Sequence, residues 1–274
     1  MSAGFGARLT EKVAERGALC AGIDPHPGLL EAWGLPVDAG GLERFALTAI
    51  EVLAPEVAVV KPQSAFFEAF GAAGISVLAR VLEYAREAGT LVLLDVKRGD
   101  IGSTMGAYTE AYLGASAALA ADAITVSPYL GFGSLTPALK TAEAQGRGVF
   151  VLARTSNPES QELQNALLPN GKTVAQSIVD AAGDANSGAR PAGHVGVVVG
   201  ATVPAGELDL GALNGPILAP GFGAQGATVA DLRRVFGTDL RNVLPASSRD
   251  ILRHGPDPVA LRDAVRRTRE SLNG

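Results

Sequence analysis

Short apolar runs recur along this chain at a spacing that few folds can use. Eight can be marked, each too short for a helix and each followed by Gly, Pro, Ser or a charged residue. They are Leu19–Ile23, Val57–Val60, Leu91–Val96, Ala123–Val126, Gly148–Ala153, His194–Val199, Pro216–Ala219 and Arg241–Ala246. Between them lie stripes of 3.6-residue period: Leu42, Phe45, Ala46, Ala49, Ile50 and Leu53; Leu78, Val81, Leu82 and Ala85; and Leu261, Ala264, Val265 and Thr268. Continuous apolar strands alternating with amphipathic helices predict a parallel sheet buried on both faces. Eight such units over roughly 250 residues predict one (β/α)8 barrel, a TIM barrel, spanning residues 1–274. A doubly wound sheet is the structural rival. Two stretches break the beat, Asn157–Lys172 and Gly183–Gly193, and are read as loop elaborations of the same domain.

Composition narrows the function classes. Lys and Arg number 23 against 28 Asp and Glu, giving a net charge of −5, with no basic run or aromatic-rich basic patch, so no nucleic-acid partner is expected. The apolar runs are far shorter than the ~20 residues of a membrane span, so no membrane partner is expected either. The first residues show no secretory apolar segment, and the single cysteine, Cys20, excludes an internal disulfide; a cytoplasmic protein is the simplest expectation. His26, His194 and His254 have no partner at metal-ligand spacing, and no G-x-S-x-G elbow occurs.

Catalytic groups of such barrels sit where the strands end. The first run ends in Asp24, the second in Lys61, and the third in the cluster Leu-Leu-Asp95-Val-Lys97-Arg-Gly-Asp100. Asp95 and Lys97 are two apart, so an extended strand puts both on one face. With Lys61 and Asp100 nearby, two carboxylates and two ammonium groups would keep one another charged, as a proton-transfer site requires. The bland alternative is a surface salt-bridge cluster. The seventh and eighth runs lead instead into Ala-Pro-Gly-Phe-Gly-Ala-Gln-Gly and Ala-Ser-Ser-Arg249, whose glycines, hydroxyls and guanidinium suit a phosphate. Gly221, Gly223 and Gly226 form a literal GxGxxG, but no acidic residue ends the next strand, where a dinucleotide fold needs one.

The run Asp95-Val-Lys97-Arg-Gly-Asp100-Ile-Gly-Ser-Thr104 resembles the D-x-K-x-x-D-I-x-x-T signature of the orotidine 5′-phosphate decarboxylase family. Segments around Asp24, Lys61, Ser156, Gln225 and Arg249 resemble the family's other motifs in order, from about Leu19 to Leu252, in the manner of its longer branch. The resemblance implies a homodimer of barrels with shared active sites, a small-molecule nucleotide substrate, and conversion of orotidine 5′-monophosphate to uridine 5′-monophosphate and CO2 in pyrimidine biosynthesis, with no metal or organic cofactor. It implies that Lys97 protonates C6, that Asp95 lies beside the substrate carboxylate, and that Asp24 and Lys61 hold the ribose, with Lys61 also bonding Asp95. Asp100 and Thr104 would reach the neighbouring subunit's site, Ser156 the pyrimidine, and Gln225 and Arg249 the phosphate. Two rivals stand beside it. One is a magnesium-dependent sugar-phosphate lyase of the same superfamily, the other a non-catalytic phosphate-ligand barrel.

Overall fold

The structure is a computed structural model and describes residues 3–223 and 226–272. Its eight strands are β1 (Cys20–Ile23), β2 (Val59–Pro62), β3 (Leu91–Arg98), β4 (Ala123–Val126), β5 (Gly148–Arg154), β6 (Val195–Val199), β7 (Ile217–Pro220) and β8 (Val243–Ser247). They pair in parallel and in sequence order, and β1 closes on β8 with Cys20 opposite Ala246 and Ala21 opposite Ser247. The closed parallel barrel predicted from the apolar runs is therefore present, and the doubly wound alternative is not.

Two apolar layers hold it. Inside the ring, Cys20, Val59, Leu93, Phe150, Val198, Leu218 and Leu244 fill the space. Outside it, β-strand residues such as Val60, Leu94 and Val151 pack against the helices. The helix Ala39–Leu53 buries Leu42, Phe45, Ala46, Ala49, Ile50 and Leu53, and Gly71–Glu87 buries Leu78, Val81, Leu82 and Ala85, the stripes expected from periodicity. Pro258–Ser271 buries Leu261, Ala264 and Val265; it starts at Asp257, whose carboxylate accepts from the Val259 and Ala260 amides, with proline in the first turn.

The N-terminal helix Phe5–Arg16 closes the bottom of the ring. Phe5 and Leu9 join the inner cluster, and the Phe5 ring meets Phe150 edge-on at 6.0 Å. Gly148 is required there, because a Cβ on it would lie 2.5 Å from the Phe5 ring. The plugged end leaves the C-terminal mouth as the open one.

Four local features differ from the sequence expectation. β2 runs through Lys61, and β3 through Lys97 and Arg98, because pairing continues past the point where hydropathy drops. The connection from β6 to β7 contains no helix, so the sixth unit lacks its usual cover. Residues 183–185 complete the helix Val174–Ala185, and Asn186 behind them is buried. Its amide accepts from Val195 N at 3.0 Å and donates to Val195 O at 2.7 Å and Leu213 O at 2.9 Å, pinning the start of β6. In the 157–172 stretch the chain forms the short helix Ser160–Gln164 and a bridge from Leu167 to Thr173.

Candidate active site

A cavity of about 350 Å³ opens at the C-terminal ends of the strands, within the size range of small-molecule sites. Asp24, Lys61, Asp95, Lys97, Ser156 and Arg249 all line it. One wall is a line of alternating charge. Lys61 Nζ lies 3.9 Å from Asp24 Oδ1 and 3.1 Å from Asp95 Oδ2, and Lys97 Nζ lies 2.6 Å from Asp95 Oδ1. Lys61 and Asp95 are 7% and 6% exposed, so water screens their attraction little, whereas the Lys97 side chain is half exposed to the cavity.

The protonation states follow from this arrangement. Burial pushes the Asp95 carboxyl up, but the Lys61 and Lys97 charges, with hydrogen bonds from Lys97 and Thr125, outweigh it and hold the group at about 2. Burial works against the Lys61 ammonium, yet Asp24 and Asp95 together hold it above the ordinary lysine value. The buried part of the line is thus fully charged near neutrality. The Cys20 thiol beneath it is pushed up to about 12 by burial and stays protonated.

Lys97 reaches the cavity by an irregular route. Between Leu94 and Arg98 the register against β4 slips, and Lys97 takes a left-handed backbone with φ 47°. Its amide donates to Thr125 Oγ1 at 2.9 Å, and that hydroxyl donates to Asp95 Oδ1 at 2.7 Å. The shared face of Asp95 and Lys97 therefore rests on a bulge anchored by Thr125, not on an unbroken pleat. Gln63 adds to the frame, accepting from Lys61 at 3.3 Å and donating to the Asp95 carbonyl at 3.4 Å. Neither Thr125 nor Gln63 was singled out from sequence. Thr125 hides inside an apolar strand, and Gln63 follows a proline in what reads as a turn.

The opposite wall comes from the later strands. Ser156 and Asn157 follow β5, Pro220 ends β7 with Gly221 and Phe222 behind it, and Ser247 ends β8 with Ser248 and Arg249 behind it. The hydroxyls of Ser247 and Ser248, and Asp24 Oδ1 beyond the neighbouring strand β1, are buried without a hydrogen-bond partner. Buried polar atoms are rarely left so, and the residues that carry these three all line one cavity. Gly221 and Gly223 take φ of 105° and 79°, a backbone open to glycine, beside the same wall. Gln225 lies outside the described residues.

Asp100 and Thr104 do not line the cavity. Asp100 Oδ1 accepts from the Ile101 amide at 2.8 Å, and Thr104 is exposed on the helix Gly102–Leu113. The second carboxylate of the array within one chain is Asp24, not Asp100. Among the described residues no three His, Cys, Asp or Glu side chains converge as a metal site.

A parallel eight-stranded barrel with a charged array on its early strands and a glycine, serine and arginine cradle on its last two defines a class, that of (β/α)8 enzymes acting on phosphate esters. Comparison with known proteins makes the class specific. The chain belongs to the orotidine 5′-phosphate decarboxylase / HUMPS family, whose family model matches residues 17–264. An orotidine 5′-phosphate decarboxylase of Salinispora tropica is 61% identical over 263 residues, covering 96% of this chain and 95% of that protein. One from Streptomyces coelicolor is 57% identical over 266 residues, covering 96% and 95%. A crystal structure from Streptomyces avermitilis has a TM-score of 0.97 at 53% identity, covering 99% of this chain and 95% of that one.

Proposed function

We propose that this chain decarboxylates orotidine 5′-monophosphate to uridine 5′-monophosphate, with Lys97 as the proton donor. The observation that carries the reading is the ammonium of Lys97 held 2.6 Å from Asp95 at the edge of the cavity. Breaking the bond from C6 to the carboxylate releases CO2 and leaves the electron pair on C6, in the plane of the ring and without an electron sink. A fixed ammonium stabilises that charge as it develops, and its proton passes to C6 as the new C–H bond forms. Lys97 is left as a neutral amine and is recharged from water. Asp95, ionised at its place beside the substrate carboxylate, raises the energy of the bound ground state relative to the charge-dispersed transition state.

The remaining roles follow the free valences. Asp24, whose Oδ1 lies near Lys61 but accepts no hydrogen bond, and Lys61 itself are suited to ribose hydroxyls. Ser156 faces the pyrimidine, while Arg249 with the Ser247 and Ser248 hydroxyls, joined by Gln225, takes the phosphate. Phosphate affinity remote from C6 is converted into rate by closing the site over the ring.

The magnesium-lyase alternative meets an obstacle in Lys61. A divalent cation between Asp24 and Asp95 would displace an ammonium that already sits 3.9 Å and 3.1 Å from them. Support for a homodimer comes from Ile101, Tyr129 and Leu130, which are exposed in the segments that follow β3 and β4 at the mouth, the first of which also carries Asp100. We place the protein in the cytoplasm, in keeping with its single buried thiol; no helix among the described residues is long and apolar enough to cross a membrane.

The test is direct. Purified protein mixed with orotidine 5′-monophosphate is expected to lower the ultraviolet absorbance on the long-wavelength side of the pyrimidine band as the C6 carboxylate is lost, and to do so equally after treatment with EDTA. Substrate left intact contradicts the reading, and turnover lost to EDTA contradicts its metal-free chemistry.

A further inference from the structure

At the plugged end of the barrel, three guanidinium groups gather around one carboxylate. Arg8 on the helix Phe5–Arg16, Arg86 on Gly71–Glu87 and Arg147 before β5 line a cavity of about 250 Å³ together with Asp122. The carboxylate is already committed. Asp122 Oδ1 accepts from Arg8, and Oδ2 accepts from the Val92 amide at 2.9 Å. The Arg147 guanidinium gives one hydrogen bond, to Ala121 O at 2.7 Å. Arg86 is exposed and its guanidinium, among the described residues, has neither a hydrogen bond nor an ion pair, and Glu83 and Glu87 on its own helix do not line the cavity. Burial, joined by the like charges of Arg8 and Arg86, holds the Arg147 guanidinium below its ordinary value despite Asp122. An excess of positive charge is thus concentrated on a protein whose net charge is −5.

We propose that this cavity binds a short phosphate chain, with the guanidinium groups of Arg8, Arg86 and Arg147 as its ligands. Guanidinium forks match phosphate oxygens in pairs, which a spherical anion such as chloride cannot exploit. The volume lies below the ~300–1,000 Å³ of sites that take drug-sized ligands. No aromatic side chain lines it to stack a base, so the chain of phosphates is what fits. Bound there, it bridges the plug helix to the starts of β3, β4 and β5. Its effect falls on stability through linkage and leaves the chemistry at the other face unchanged.

Calorimetric titration of the full chain with tripolyphosphate tests this, at fixed ionic strength and with saturating uridine 5′-monophosphate occupying the mouth. Saturable binding is expected, weakened about tenfold by Arg86→Gln, since a charge-assisted hydrogen bond is lost, and abolished by Arg86→Glu, with kcat unchanged in both. Tripolyphosphate should also raise the thermal midpoint of the wild type and not that of Arg86→Glu. Both variants change an exposed side chain, and circular dichroism checks their fold. A parallel titration with ATP identifies the source of the chain: equal affinities assign a free oligophosphate, and tighter ATP assigns a nucleotide tail. Absence of saturable binding, or binding unchanged in Arg86→Glu, overturns the proposal.

Discussion

Asp95 receives two ammonium groups and a hydroxyl on one buried carboxylate, from Lys61, Lys97 and Thr125. Its folded value of about 2 lies below the ~3.9 of an unfolded aspartate. The stability it contributes is therefore complete above the unfolded value and is lost as pH falls through about 2. Lys61 is held above its unfolded value, so its contribution is complete below ~10.4 and is lost only as pH rises past the folded value. Urea midpoints measured against pH should thus show an acid limb in the wild type between about pH 4 and 2 that Asp95→Asn flattens; an unchanged limb would assign the acid sensitivity to other carboxylates. Asp24, Lys61, Asp95 and Lys97 were legible in the sequence because a charge directly after an apolar run has few structural explanations. Thr125 was not, because a β-branched hydroxyl residue in a strand looks the same whether it serves packing or an Asp–Lys pair.

At the scale of elements, two parts of the barrel depart from what patterning can reveal. The bulge that aims Lys97 leaves no hydrophobic trace, since its cause is the pairing of β3 with β4 and not the local sequence. The helix Phe5–Arg16 carries Phe5 and Leu9 one turn apart, enough to show an apolar face but not that this face enters the ring. Its docking is a tertiary fact: Phe5 against Phe150 and Gly148, and Arg16 donating to Ala54 O at 3.0 Å and Thr90 Oγ1 at 2.8 Å. Phe5→Ala should cost about 3–5 kcal/mol by opening a cavity at the closed end. Chemical denaturation measures that loss, and KM should not move, because the plug and the mouth lie at opposite ends. A KM that rises in step with the lost stability would show the two ends to be coupled. The eight strands and their order, in contrast, were readable, because each strand is apolar on both faces and punctuated at its end.

The whole molecule separates chemistry from anchorage: charged groups at the C-terminal mouth, packing and the arginine cluster at the N-terminal end. One chain does not bring Asp100 and Thr104 to its own cavity, which is where a shared site becomes testable. Asp100→Ala and Lys97→Ala, each weak alone, should regain turnover when unfolded and refolded together, because a mixed pair of the proposed homodimer would assemble one intact site; a mixture no better than its parts contradicts sharing. The charged line itself is tested most directly by the kcat of Lys97→Ala on orotidine 5′-monophosphate, read beside its circular dichroism. Loss of at least ~10²-fold in kcat with a native spectrum is the predicted result, the least that removal of a positioned proton donor should cost. A natively folded Lys97→Ala enzyme turning over at the wild-type rate would contradict it.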